Sequence, residues 1–183
     1  MLSKPVSGIA FRRLSSPLRF EAEGGEDVVP VTSGKLDLGA PYIQATSNSS
    51  TRDAVQLSES VDLTNCSQIK ILVSAMSVGN NSLYCHDTKP DSIVALYDTE
   101  GGNMWDPNRN TAGAPIVTAN WPDTGSHIYT TTAQDVTDGK APAEGLYQYE
   151  VVFDVSELTH VGELWLAHTG GPFVAIYSVE LIA

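Results

Sequence analysis

The chain has 183 residues, 42% of them hydrophobic, and carries 10 Lys or Arg against 22 Asp or Glu, a formal net charge of -12. A length of this order accommodates one sizeable core without requiring a second. No apolar run approaches a membrane span, and a body this acidic repels nucleic acid and anionic lipid, so neither nucleic acid nor membrane is expected as a partner.

Charge is divided unevenly along the chain. Lys4, Arg12, Arg13 and Arg19 all fall in the first twenty residues, which contain no acid, so that stretch is +4, while the remaining 163 residues hold six cations against 22 acids, or -16. Arg12 and Arg13 stand between Phe11 and Leu14, and Leu18, Arg19 and Phe20 repeat the mixture of charge and apolar bulk. Apolar side chains that fill shallow pockets and guanidiniums that pair with carboxylates suit a segment lying along a neighbouring subunit. Residues 1–26 are therefore read as an extended basic arm and linker, and 27–183 as one folded domain. Free termini are normally disordered unless held down, so the arm is expected to dock on a partner, on another copy or, as a swapped strand, on its own sheet.

Short runs rich in Val, Ile, Thr and Tyr follow, separated by Gly, Pro and Asn, the pattern of an all-β protein. Val28–Thr32 and Lys35–Leu38 predict two strands around a Ser33-Gly34 turn, Pro41–Thr46 a third, and Ala54–Leu57 a short run of its own. Val61–Cys66 leads into Ile69–Ser77, where Ile69, Ile71, Val73 and Ala75 alternate with Lys70, Leu72, Ser74 and Met76, a strand with one face in the core. Ser82–Cys85 begins a return strand, and Ser92–Asp98 is apolar enough to predict cover on both sides. The stretch 99–115 has no regular pattern; Ile116–Asn120 and His127–Thr132 resume strands, and 134–144 is a polar connection. At the C-terminal end Tyr147, Tyr149, Val151, Phe153 and Val155 share one phase, Glu163–His168 is a further strand, and at most one helical turn is expected in the chain, near Ser156–His160. In the last strand Val174 and Ile176 share a phase while Val179 and Leu181 take the opposite one, which predicts a β-bulge near Tyr177-Ser178. About ten short strands pack best as two sheets face to face.

The segment V-D-L-T-N-C-S-Q-I-K-I from Val61, F-D-V-S-E-L from Phe153 and the closing V-A-I-Y-S-V-E-L from Val174 resemble jelly-roll sandwiches of the galactose-binding-like and carbohydrate-binding-module type. Those motifs cover about a third of the chain, and no calcium loop of the kind many such modules carry accompanies them. The resemblance extends to the sandwiches of bacteriophage capsid decoration, head-fibre and tail accessory proteins. It implies a single-domain jelly-roll-type β-sandwich whose leading arm anchors it to capsid or tail subunits and to copies of itself: a non-enzymatic structural protein located in the virion. The alternative it implies is a carbohydrate- or receptor-binding module with a glycan partner.

The chemistry-bearing residues fit a protein without catalytic residues, metal or cofactor. His86, His127, His160 and His168 have no H-x-x-x-H or H-x-H spacing and neither cysteine lies in a C-x-x-C pair. No G-x-S-x-G elbow accompanies His86-Asp87. Asp98 with Glu100 and Asn103, or Asp135 with Asp138, offer oxygen ligands without EF-hand spacing, and solvated turns are the simpler reading. Cys66 and Cys85 are expected reduced and buried on strands, with a single bridge as the alternative. Trp105 and Trp121, next to Pro and Asp in loops, present flat faces that suit sugar rings or a protein interface, or that cap the core. Trp165 lies opposite in phase to Leu164 and Leu166 and is expected to be covered by the arm or by a neighbour.

Overall fold

The computed structural model describes residues 29–44, 55–75, 93–98, 115–122, 124–168 and 174–183. Among these, alternating apolar residues form ten strands: β1 (Gly34–Lys35), β2 (Ile43–Gln44), β3 (Val55–Asp62), β4 (Gln68–Ala75), β5 (Ile93–Tyr97), β6 (Val117–Asn120), β7 (Tyr129–Thr130), β8 (Tyr147–Asp154), β9 (Val161–His168) and β10 (Ala175–Ile182). A 3-10 turn at Thr124–Ser126 and a short helix α1 (Ala133–Thr137) lie between β6 and β8.

Two antiparallel sheets result. One has the order β1-β10-β4-β8-β7 with β2 also paired to β10; the other has the order β3-β9-β5-β6. The pairs β2·β10, β3·β9, β4·β8 and β5·β6 nest inside one another like the rungs of one long hairpin, and successive rungs alternate between the sheets. β10·β4 and β9·β5 then join the rungs within each sheet. That is the strand order of a jelly roll, so the all-β sandwich expected from the sequence is the observed architecture.

β4 occupies the centre of the larger sheet because its alternation is the cleanest. Ile69, Ile71 and Val73 are fully buried, while Lys70 and Leu72 on the opposite face are only partly so. β8 pairs with it in unbroken register from Gln68↔Asp154 to Ala75↔Tyr147, which places Tyr149, Val151 and Phe153 on the same inner face. Leu57, Val61, Leu96, Leu164 and Leu166 of the smaller sheet meet them in one continuous core.

The bulge in the last strand is present: the β10–β4 register shifts between Ile176 and Ser178, so Ile176, Val179 and Leu181 all face the core although the first two are three positions apart. β5 is covered on both sides, as expected. Leu96 joins the main core, while Ala95 and Tyr97 form a second buried cluster with Trp165 and Ala167 on the outer face of the smaller sheet.

Four expectations change. Ser33-Gly34 does not turn a hairpin, because Gly34-Lys35 pairs with Leu181-Glu180 of β10 and Val31 bridges Val61 in parallel instead. Ala54–Leu57 is not a separate run: Val55–Asp62 is a single strand that absorbs two register shifts against β9. The polar connection 134–144 begins with α1, which Thr132 and Asp135 start by a reciprocal capping box. Ser156 and Glu157 form a hydrogen-bonded turn and no helix. The expected strand at Ser82–Cys85 lies outside the described residues.

Candidate functional site

β6 is the edge of the smaller sheet, and it faces β8 near the edge of the larger one. The chain leaves β6 at Asn120 directly into Trp121, so the indole falls into the opening between the two sheet edges and packs against the core. It meets Tyr149 edge-on, with ring centroids 6.0 Å apart and planes at 81°. His127 lies flat on Tyr147 at 4.3 Å and 11°, and edge-on to Tyr149 at 6.5 Å. Edge-to-face and stacked pairs are the arrangements that aromatic quadrupoles favour. Trp121 is half-buried in this corner, while His127 on its rim is exposed. The geometry is that of a plug that closes the sandwich mouth, with the His127–Tyr147 stack as its outer surface.

Below the plug, Asp135 ties β7 to α1. Its Oδ2 accepts from the Tyr129 hydroxyl at 2.6 Å, from the Thr132 backbone N–H at 2.8 Å and from Thr132 Oγ1 at 2.7 Å. These donors, the Tyr129 hydroxyl foremost, hold its carboxyl below the usual carboxylate range. Asp138 accepts from Lys140 Nζ and Gln134 Nε2. Both carboxylates are therefore engaged within the corner, and among the described residues no group of three or more His, Cys, Asp or Glu is placed to hold a metal ion.

Trp165 is buried with Ala95, Tyr97 and Ala167 of its own sheet, and the arm expected to cover it lies outside the described residues. Trp165 is 7% exposed, pairs with Tyr97 across β9 and β5, and donates its indole N–H to Glu163 Oε2 at 3.1 Å. Burial beside it pushes the Tyr97 hydroxyl pKa upward. Cys66 is a buried free thiol, in the turn after β3 and not on a strand, and donates to the Thr32 carbonyl at 3.2 Å. Burial, and then the nearby Asp62 charge, push its pKa up, so it lacks the thiolate character of a reactive cysteine.

The arm residues Phe11, Arg12, Arg13, Leu14, Leu18, Arg19 and Phe20 lie outside the described residues, as do Trp105, Cys85, His86, Glu100 and Asn103. The chain enters the described fold at Val29, which is 82% exposed, and Val31 then lies along the edge of β3. There Val31 N–H donates to the Ser60 carbonyl and Asp62 N–H to the Val31 carbonyl at 3.0 Å. The connection carrying Trp105 departs from β5 beyond Tyr97, whereas Trp121 follows Asn120, the partner of Ile93 at the other end of β5. Nothing in the described residues brings the two tryptophans together.

Sequence reasoning missed the outer face of the larger sheet, where Tyr42 and Tyr177 contact at 6.1 Å and the Tyr177 hydroxyl donates to Ser74 Oγ at 3.1 Å. The signal was the phase change in β10, which sends Tyr177 outward while both its flanking apolar runs point inward. The chain matches no protein-family model, no curated protein and no solved structure.

Proposed function

We propose that this chain is a non-enzymatic structural protein of a virus particle, of the capsid decoration or tail accessory kind, in which a basic N-terminal arm anchors an acidic jelly-roll body. The observation that carries the reading is the uneven charge along the chain: the first twenty residues hold four cations and no acid, while the remaining 163 hold six cations against 22 acids. Arginine forks pair bidentately with carboxylates, so such an arm suits an acidic protein surface, whether a capsid subunit or another copy of this body. Its point of attachment beside the β3 edge, at the exposed Val29, leaves the preceding residues a route away from their own core.

Removal of residues 1–20 tests the proposal. Lost co-purification with the larger assembly at an unchanged melting temperature supports an anchoring arm. A collapsed fold, or a full-length chain that is a stable monomer without affinity for any virion protein, overturns it. The second reading, a carbohydrate- or receptor-binding module, draws on the exposed aromatic stack beside Trp121. Substituting Trp105 and Trp121 should then abolish binding on a glycan array, and an intact chain that binds no glycan removes it.

A further inference from the structure

Where the chain enters its fold, it changes from exposed to firmly stitched within two residues. Gly34-Lys35 pairs with β10, Leu36 N–H donates to the Val179 carbonyl at 2.9 Å, and the Cys66 thiol donates to the Thr32 carbonyl at 3.2 Å. Val31 bridges Val61 in parallel, donating to the Ser60 carbonyl and accepting from Asp62 N–H. Val29, two positions earlier, is 82% exposed. In a parallel ladder alternate residues bond the same neighbour, which fixes the next rung: Val29 N–H to the Ser58 carbonyl, and Ser60 N–H to the Val29 carbonyl.

Nothing in the leading segment forbids that rung. Valine favours strands, a residue before proline favours extended backbone, and Pro30 falls in the phase that bonds away from β3, so its missing N–H takes nothing from the ladder. The obstacle stands on β3. Ser60 N–H is already donated to Ser58 Oγ at 3.2 Å, and the same hydroxyl donates to the Ser60 carbonyl at 3.1 Å. The strand is irregular at this point as well: Gln56, Ser58 and Val61 stand opposite Trp165, Leu164 and Gly162, so five steps along β3 answer three along β9. Irregularities of this kind terminate pairing, and a charged side chain such as the exposed Glu59 discourages further strands on an edge.

We infer that Ser58 is an edge stop: by engaging the Ser60 N–H it ends the pairing of the leading segment at Val31 and keeps the residues before it off their own β3 edge, available to a partner protein. The inference rests on the anchoring reading and decides between two fates of the arm, a strand returned to its own sheet or a segment docked on another subunit. Ser58 acts in this as a positioning residue. The full chain is compared with Ser58→Ala, which releases the Ser60 N–H, with Ser58→Thr, which keeps the hydroxyl, and with Ser58→Ala combined with Val29→Pro, which removes the donor that the new rung needs. Amide hydrogen exchange followed by NMR and co-sedimentation with the purified assembly are the two readouts. Ser58→Ala should slow exchange at Val29 about tenfold or more and weaken co-sedimentation. Ser58→Thr should match the parent chain in both, and the double variant should match it in co-sedimentation. Unchanged Val29 exchange in Ser58→Ala, or a parent chain whose Val29 amide is already protected, overturns the stop. Weakened co-sedimentation without slower exchange also overturns it and marks Ser58 as a partner contact. Slower exchange in Ser58→Ala, together with a parent chain that joins no assembly, keeps the stop and overturns the anchoring reading.

Discussion

Val179 and Val152 are the same residue type on the two strands that flank β4, and the bulge in β10 decides that they face opposite ways. Val179 sits opposite Ile71 and is fully buried, whereas Val152 sits opposite Lys70 and is 39% exposed. Val179→Ala removes two buried methyl groups, worth about 1.6 kcal/mol at roughly 0.8 kcal/mol each. Whatever part of the void stays open adds about 24 cal/mol per Å³, for a total near 2–3 kcal/mol. Val152→Ala leaves no cavity and gives up contacts already shared with water, so its effect stays within about 0.5–1 kcal/mol. Urea unfolding followed by tryptophan fluorescence and far-UV circular dichroism reads the difference, coincident transitions licensing a two-state treatment. With a slope near 2 kcal/mol per molar urea, the Val179 variant should lose about 1 M in midpoint. Without a bulge, Val179 would share the outer face, and equal midpoint shifts for the two variants would refute the register described here.

Two further outcomes follow from local geometry. Gly162 pairs with Val61 where β3 is irregular, at φ 153°, and an added Cβ would stand 3.2 Å from the His160 ring; Gly162→Ala should cost about 1–3 kcal/mol, and a melting temperature equal to that of the parent chain would contradict it. Asp62, Asp135, Asp138 and Asp154 are all held below the ordinary carboxylate range, by hydrogen bonds from Thr64, from Tyr129 and Thr132, from Lys140 and Gln134, and from Ser156 respectively. Because the unfolded chain binds protons more readily at these sites, their stabilisation is complete above the unfolded carboxylate pKa of about 3.9 and is lost as pH falls through the lower folded values. Asp135→Asn should therefore flatten the acid limb of a urea-midpoint profile, and an unchanged limb counts against the Asp135 network.

The parts of the fold legible in the sequence were those governed by period. β4 and β8 alternate along most of their eight residues against a buried face, and a one-residue slip in such a pattern exposes every apolar side chain at once. For the same reason the bulge in β10 could be read from the phase of Val174 and Ile176 against that of Val179 and Leu181. What failed were local cues with distant competitors: Ser33-Gly34 has turn chemistry, yet the hydrogen bonds of Gly34-Lys35 are made by β10, far along the chain. Helix α1 carried a readable start in Thr132-x-x-Asp135, but its five residues bury none of their side chains, so no apolar period drew attention to it. At the candidate site, the outward phase of Trp165 was legible, but its cover by Ala95, Tyr97 and Ala167 of its own sheet was not. For Trp121 the sequence left core capping open beside a ligand or interface role, and its half-buried place came only from the approach of β6 to β8. The Tyr42–Tyr177 contact was not legible because it depends on the pairing of β2 with β10 and on the bulge together.

The outer faces of the two sheets differ in kind, and this makes the anchoring and ligand-binding proposals separable. Ala95, Tyr97, Trp165 and Ala167 on the four-stranded sheet are already buried, so that side offers a new partner little further area there. The six-stranded sheet keeps its outward tyrosines part-exposed, and the chain's entry at Val29 lies instead beside β3, an edge of the opposite sheet. Sites on different elements with no shared partner act additively. Trp121 follows β6, the edge of the four-stranded sheet opposite β3. Deleting residues 1–20 should then leave glycan binding unchanged, and Trp121→Phe should leave co-assembly unchanged, when both variants are measured on a glycan array and by co-sedimentation with the purified assembly. A deletion that weakened glycan binding, or a tryptophan substitution that released the chain from its assembly, would mean that one surface performs both roles and that the independence of tryptophan corner and arm is wrong.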